Sequence, residues 1–365
     1  MENIPRCLLI FENSCKSKST FRDYKTYLDW FLNWCHKDYE SLLMMGQVEI
    51  EDLLQDYCIY QKRRAESGEI NPNSISTFFH GIFKFLKVNK KKIDRESITV
   101  LYPPRKKLSG EKAVTTEQIQ IMLDSTGEKR EKALIHVFSA TGARVEAISE
   151  LQLKHVEPYK DGYLKLILYA DDQHEMVTFL HPEATEVLNS YFEERRKNGE
   201  KLTKESFVFV VSSNRGLGAR RLSKVSIEAL MRRLWIYSGI ERRKNGKRYD
   251  LATTTAFRKR FDTILEFHKD VPMGATQYLM DHTGYMSGTH YRRPTVEQVF
   301  EACKVATPQL MVSEKYRMHY EIEKKEQEIK QKNELKDKRI EDLEKRLENT
   351  QKLLQSVLER LEIKN

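Results

Sequence analysis

Apolar residues recur every three to four positions through the first hundred residues, the mark of amphipathic helices. Ser19 or Thr20 can cap a helix that carries Phe21, Tyr24, Leu28, Phe31, Leu32 and Cys35 on one face. A second helix is predicted near Ile50, Leu53, Leu54, Tyr57 and Cys58. A third follows Asn71-Pro72-Asn73-Ser74 and carries Ile75, Phe78, Phe79, Ile82, Phe83 and Leu86. Its phenylalanines are expected to form the core seam of a helical domain over residues 1–105.

Tyr102-Pro103-Pro104 forbids helix, and the cations Arg105, Lys106 and Lys107 come next. This stretch is predicted as an interdomain linker whose side chains are candidates for contact with a phosphate backbone. Thr115 and Gln118 have the spacing of a capping box, opening a second, mostly helical domain over residues 106–312. The period changes at residues 163–180. Two β-branched and aromatic runs flank the polar Ala170-Asp171-Asp172-Gln173, which predicts a β-hairpin, and Pro182 then opens another helix. From about Glu314 to Leu361 there is neither proline nor glycine. There Ile340, Leu343, Leu347, Leu354, Val357 and Leu361 alternate three and four apart, with Thr350 filling one step. That is an a/d seam of about three heptads, so residues 313–365 are expected to be a coiled-coil tail that self-associates or recruits a partner.

Composition narrows the partner. A formal net charge of +9 favours a polyanion. No run approaches the roughly 18 apolar residues of a membrane span, and Cys7-Leu8-Leu9-Ile10-Phe11 is too short for a signal peptide. The five cysteines (Cys7, Cys15, Cys35, Cys58 and Cys303) lack the paired spacing of a zinc site. A reducing, cytoplasmic setting is expected, with no metal ligands. Neither a Gly-rich Lys-Ser/Thr loop nor clustered carboxylates is present, so no nucleotide or metal cofactor is expected.

Three stretches carry candidate chemistry. Ala140-Thr141-Gly142-Ala143-Arg144 places an arginine after small residues that allow a strand or a backbone to come close. Thr255-Ala256-Phe257-Arg258-Lys259-Arg260-Phe261 places two arginines two apart on a helix, so only one of them can face a site; Phe257, Phe261 and Ile264 are expected in the core. Leu279-Met280-Asp281-His282 is followed, nine residues after the histidine, by Tyr291. Spacing alone does not select Tyr291 over Tyr285 among 17 tyrosines.

Together, in this order, the stretches resemble the tyrosine recombinase (phage integrase) family over most of residues 20–312, and Tyr291-Arg292-Arg293-Pro294 is similar to archaeal members. The resemblance implies a mainly α fold with a small β-sheet, combining a SAM-like core-binding domain with a recombinase catalytic domain. It implies that Arg144 and Arg258 hold a scissile DNA phosphate and that His282 assists. Tyr291 then attacks to give a 3′-phosphotyrosine and a free 5′ hydroxyl. It further implies double-stranded attachment sites as substrate, a tetramer on two duplexes, and a mobile-element integrase acting on the nucleoid.

The departures from the family pattern are specific. The hairpin turn lacks the usual lysine, which leaves Lys165 or His174 as candidate general acids. Thr255 stands where histidine is usual, with Lys259 and Arg260 as neighbouring cations. Asp281 stands where glycine is usual, and Ala147 replaces an acidic residue. Two other functions fit the same residues. One is a DNA-binding protein that keeps the fold without cleaving; the other is a type IB topoisomerase with the same chemistry.

Overall fold

The apolar faces of the N-terminal helices close on one another as their spacing predicts. In this computed structural model, which describes residues 4–106, 112–211, 220–245, 248–281 and 294–362, the chain divides into two units, Met1–Leu108 and Ser109–Asn365. The first contains α1 (Arg6–Asn13), α2 (Lys18–Cys35), α3 (Tyr39–Met44), α4 (Gln47–Glu66), α5 (Ile75–Val88) and the single turn α6 (Glu96–Thr99). Helix α5 is the centre of this core, with Ile75, Phe79, Ile82, Phe85 and Leu86 fully buried. Each such side chain contributes about 1.5–3 kcal/mol by leaving water. Helix α2 crosses α5 so closely that a Cβ on Gly81 would stand 2.4 Å from the Tyr24 carbonyl oxygen.

Two local features differ from expectation. Helix α2 begins earlier, because the extended residue is Ser17, whose Oγ accepts from the Thr20 amide at 3.1 Å; Ser19 and Thr20 are already helical. Cys7, Leu8 and Phe11 are one face of α1, a helix the sequence pattern did not predict. Phe11 is wholly buried and meets Phe21 and Phe85 edge-on at 5.7 and 5.5 Å.

The second unit begins with α7 (Thr116–Asp124), capped as predicted: Thr115 Oγ1 accepts from the Gln118 amide and Gln118 Oε1 from the Thr115 amide. Helix α8 (Lys129–Thr141) runs through the core, buried at every residue from Ala133 to Thr141, and leads into α9 (Val145–Glu150). Strands β1 (Val156–Pro158), β2 (Leu164–Leu168) and β3 (Met176–Leu180) form an antiparallel sheet in that order, with Leu164 opposite Leu180 and Leu168 opposite Met176. β2 and β3 are the predicted hairpin, while β1 is an addition too short to leave a period in the sequence. Pro182 opens α10 (Pro182–Lys197) as expected.

After α10 come α11 (Lys224–Tyr237) and the two-residue strands β4 (Lys244–Asn245) and β5 (Arg248–Tyr249). They are followed by α12 (Thr255–Glu266), α13 (Met273–Leu279), α14 (Val296–Leu310) and α15 (Glu314–Glu362). The fold is thus mainly α with a small sheet. Helix α15 is tied to the unit at its start. Both Glu183 carboxylate oxygens accept backbone N–H groups at 2.9 Å, from Val312 and Ser313, and the Tyr320 hydroxyl lies 3.1 Å from that of Tyr163. Farther along, Ile322, Ile329, Ile340, Leu343 and Leu347 are exposed. Among the described residues no helix is long and apolar enough to cross a membrane.

Candidate active site

Arg144 sits at a corner that the backbone makes abruptly. Helix α8 ends at Gly142 in the left-handed region (φ +57°), and Arg144 is the extended residue just before α9. Gly142 is required twice over. Its φ favours glycine, and an added Cβ would stand 2.7 Å from the Phe261 ring. The group that comes close here is the Phe261 side chain of α12, not the strand or backbone that the small residues suggest.

Helix α12 then separates its two arginines as their spacing predicts. Arg258 donates from Nη1 to the Gly142 carbonyl at 2.9 Å and from Nη2 to the Met280 carbonyl. It thereby joins the α8–α9 corner to the end of α13. Arg260 points into the core, where it donates to Ser139 Oγ, Thr116 Oγ1 and the carbonyls of Gln309 and Leu310. Burial lowers its pKa to about 10, and its four protein partners mark it as structural. Phe257 and Phe261 are fully buried, and Ile264 packs beside them.

The Asp281 carboxylate brings a third element in. Its Oδ2 accepts from Arg144 Nη1 at 2.6 Å, and its Oδ1 lies 3.3 Å from His174 Nδ1, at the far end of the hairpin turn. Asp281 adopts φ +45°, a conformation that favours glycine and that aspartate tolerates better than most residues. Tyr169, opening the same turn, lies close enough to Arg144 to favour its charge and meets the His174 ring edge-on at 6.3 Å between centroids. Burial works to lower the Arg144 pKa, but Asp281 and Tyr169 outweigh it and hold the guanidinium above its ordinary value. Burial, then the charge of Arg144, pushes Arg258 down. The two guanidiniums thus meet at one corner, where the charge of Arg144 makes that of Arg258 harder to hold.

Residues 112–298, more than half of the chain, match the family model described as the phage integrase family. The chain belongs to that family, the tyrosine recombinases. The same fold is found in solved structures at low identity. A lambda integrase (75–356) dimer bound to a COC′ core site matches with a TM-score of 0.51 and 15% identity, over 80% of this chain and 96% of that one. The Tn1549 transposon integrase (aa 82–397) in complex with circular intermediate DNA matches with a TM-score of 0.52 and 10% identity, over 81% and 97%. XerH recombinase in a post-cleavage complex matches with a TM-score of 0.50 and 15% identity, over 82% and 83%. No curated protein sequence matches significantly.

Within this recombinase fold the remaining candidates separate. His282, Tyr291 and Lys107 lie outside the described residues. Lys165 is held 2.5 Å from Glu157, its register partner across β1 and β2. Thr255 is exposed at the start of α12. Arg105 and Lys106 are exposed on the first unit, where the Asn73 side-chain amide clamps the Lys106 backbone through both its N–H and its carbonyl. Asp281 had a readable signal, an acid where the family pattern has glycine, but its link to Arg144 spans 137 residues and only the fold supplies it.

Proposed function

We propose that this chain is a site-specific DNA recombinase of the integrase kind, which cuts and rejoins double-stranded attachment sites through a 3′-phosphotyrosine on Tyr291. What supports this most is the convergence of Arg144 and Arg258 on one corner, with Arg258 also bound to the Met280 carbonyl, two residues ahead of His282. Two guanidiniums there hold the scissile phosphate and stabilise the charge of its pentavalent transition state. His282 donates to a non-bridging oxygen or helps deprotonate Tyr291, and Tyr291 attacks phosphorus. The phosphotyrosine conserves the ester bond energy, so a hydroxyl from a partner strand rejoins the ends. Arg105, Lys106 and Lys107 bind backbone phosphates. The assembly is a homo-tetramer on two duplexes, supported by self-association of the tail, and the protein works on nucleoid DNA as the integrase of a mobile element.

The test is a denaturant-stable protein–DNA adduct on nicked suicide substrates bearing cloned candidate attachment sites. Wild type forms it, and Tyr291→Phe binds the same DNA without forming it. A second reading is a DNA-binding relative that no longer cleaves, favoured by the Asp281 carboxylate on Arg144 and by the hairpin turn without lysine. It predicts binding with no adduct from wild type. A type IB topoisomerase would instead relax supercoiled plasmids that carry no specific site.

A further inference from the structure

Breaking the P–O5′ bond makes a demand that the arginines do not meet. The departing 5′ oxygen is a strongly basic alkoxide unless it is protonated as it leaves, and a guanidinium does not give up its proton in a protein. We propose that His174, oriented by Asp281, is the catalytic acid that protonates the leaving 5′ oxygen. The proposal rests on the recombinase reading above.

One carboxylate ties this imidazole to the phosphate-binding corner. Asp281 Oδ2 accepts from Arg144 at 2.6 Å while Oδ1 faces His174 Nδ1 at 3.3 Å. With Nδ1–H directed at the carboxylate, Nε2 is the nitrogen left to face substrate. The side chain is 41% exposed, so a DNA strand can reach it. The hydrogen-bond partner at Nε2 is the exposed Gln173 amide, 3.2 Å away, which can turn its oxygen towards a protonated ring. Both sides of the contact are fixed. The Asp172 carboxylate accepts the His174 backbone N–H at 2.9 Å, the Asp281 amide donates to the Tyr278 carbonyl at 2.9 Å, and the Val177 amide of β3 donates to the Tyr278 hydroxyl at 2.8 Å.

The charge of the corner points the same way. Asp281 cancels one of the two arginine charges, so an imidazolium at His174 restores the second positive charge that a doubly negative phosphorane requires. The alternatives on the hairpin are less suited. Lys165 is occupied by Glu157 in mid-strand, and burial raises the pKa of the Tyr169 phenol, which makes it a weaker acid. In the step itself, the Tyr291 Oη–P bond forms and the P–O5′ bond breaks. The Nε2 proton of His174 passes to O5′, and the phenolic proton is released to solvent. On rejoining, the neutral imidazole takes a proton from the attacking 5′ hydroxyl, the P–O5′ bond forms, the Tyr291 Oη–P bond breaks, and the departing phenolate is reprotonated from solvent.

A sulfur leaving group tests this, because a 5′-thiolate departs without protonation. In single-turnover cleavage, His174→Ala should lose about 100- to 1,000-fold on the ordinary phosphodiester and recover to within a few-fold of wild type on the 5′-bridging phosphorothiolate. Asp281→Asn, altering a positioning residue, should show a smaller loss that sulfur also repairs, whereas the Arg144→Ala loss should persist on both substrates. An unimpaired His174→Ala, a loss that sulfur does not repair while DNA binding is intact, or a sulfur-repaired loss at Tyr169→Phe in place of His174→Ala would overturn the assignment. Failure of wild type to cleave even the sulfur substrate would instead remove the recombinase reading beneath it.

The tail helix carries a separate pattern. With Ile340 at an a position and Leu343 at d, Lys332, Arg339 and Arg346 fall at g, and Asp337 and Glu344 at e; all five are exposed. In a parallel pair each g side chain faces e of the next heptad on the other helix, so Lys332 meets Asp337 of the partner subunit and Arg339 meets Glu344 of the partner subunit. An antiparallel pair sets g against g and e against e, which opposes the cations Lys332, Arg339 and Arg346 to one another and the carboxylates Asp337 and Glu344 to one another. Asn333 falls at an a position, where a polar layer fixes register. We infer that a second copy of this chain covers the exposed Ile340–Leu343–Leu347 seam in parallel register. By sedimentation equilibrium without DNA the wild type should be a dimer. Arg339→Glu should weaken it about tenfold, and adding Glu344→Arg should restore it. A monomeric or trimeric wild type, or a double exchange that fails to restore the dimer, would overturn the inference.

Discussion

Acidification should destabilise the catalytic unit through two buried histidines. His136 lies on α8 and His181 caps α10 by accepting the Ala184 amide at Nδ1. Burial, with Lys132 nearby, lowers the His136 pKa to about 4. Burial first, then His136 and Arg260, lowers that of His181 to about 3. Among the described residues His136 Nδ1 and His181 Nε2 have no hydrogen-bond partner, so neither ring has an acceptor waiting to stabilise its cation. Both are neutral in the folded chain, while the unfolded chain protonates them below about pH 6.5. The unfolded state therefore binds more protons below that value, and stability falls as pH falls from about 6.5 towards the folded values.

The loss is about 1.4 kcal/mol per pH unit for each ring, hence about 2 kcal/mol per histidine and about 4 kcal/mol for both on going to about pH 5. Glu183, whose pKa burial raises, works in the opposite direction and offsets part of this. With a urea dependence of about 2 kcal/mol per molar, the midpoint should drop by up to about 2 M. Hydrogen exchange of α8 peptides in urea, corrected for intrinsic rates, reports this unit separately. His136→Leu with His181→Asn, which keeps a capping acceptor, should abolish most of the acid sensitivity. An equal midpoint at both pH values in wild type, or undiminished sensitivity in the double variant, would show that these two rings do not carry the acid sensitivity.

Two further substitutions test how the site and the tail are held. Gly142→Ala forces a left-handed alanine against the Phe261 ring, so it should cost about 2–4 kcal/mol in a urea titration and abolish adduct formation by displacing both Arg144 and the Arg258 acceptor. Glu183→Gln replaces one of two backbone-accepting oxygens with a donor, which should cost about 1–3 kcal/mol and increase protease cleavage at the start of α15.

The sequence was most legible where a local rule coincided with the tertiary outcome. Helix α5, the Thr115 capping box, the β2–β3 hairpin and the opening of α10 at Pro182 each follow from a period or a cap that spans a few residues. Helix α1 escaped because Cys7, Leu8 and Phe11 fill barely two turns, and its existence depends on Phe21 and Phe85 arriving to cover Phe11. The small residues around Gly142 suggest the approach of a nucleic-acid strand or another backbone, whereas the group that comes close is the Phe261 side chain, more than a hundred residues away in the chain. The two arginines of α12 separated as their spacing requires, although spacing gave no sign of which was structural. The Asp281 bridge between Arg144 and His174 was least legible, since it joins three segments and depends on a left-handed residue at the end of α13.

In the proposed mechanism Tyr291 becomes covalently linked to a phosphate held by Arg144 and Arg258. Wild-type protein trapped on a suicide substrate, digested and sequenced by mass spectrometry, should carry the 3′-phosphonucleotide on Tyr291. Arg258→Ala should then lower the yield at least about 100-fold while the protein still binds DNA. A DNA-linked peptide carrying the phosphate on another tyrosine, or no linked peptide from protein that demonstrably binds an attachment site, would contradict the account.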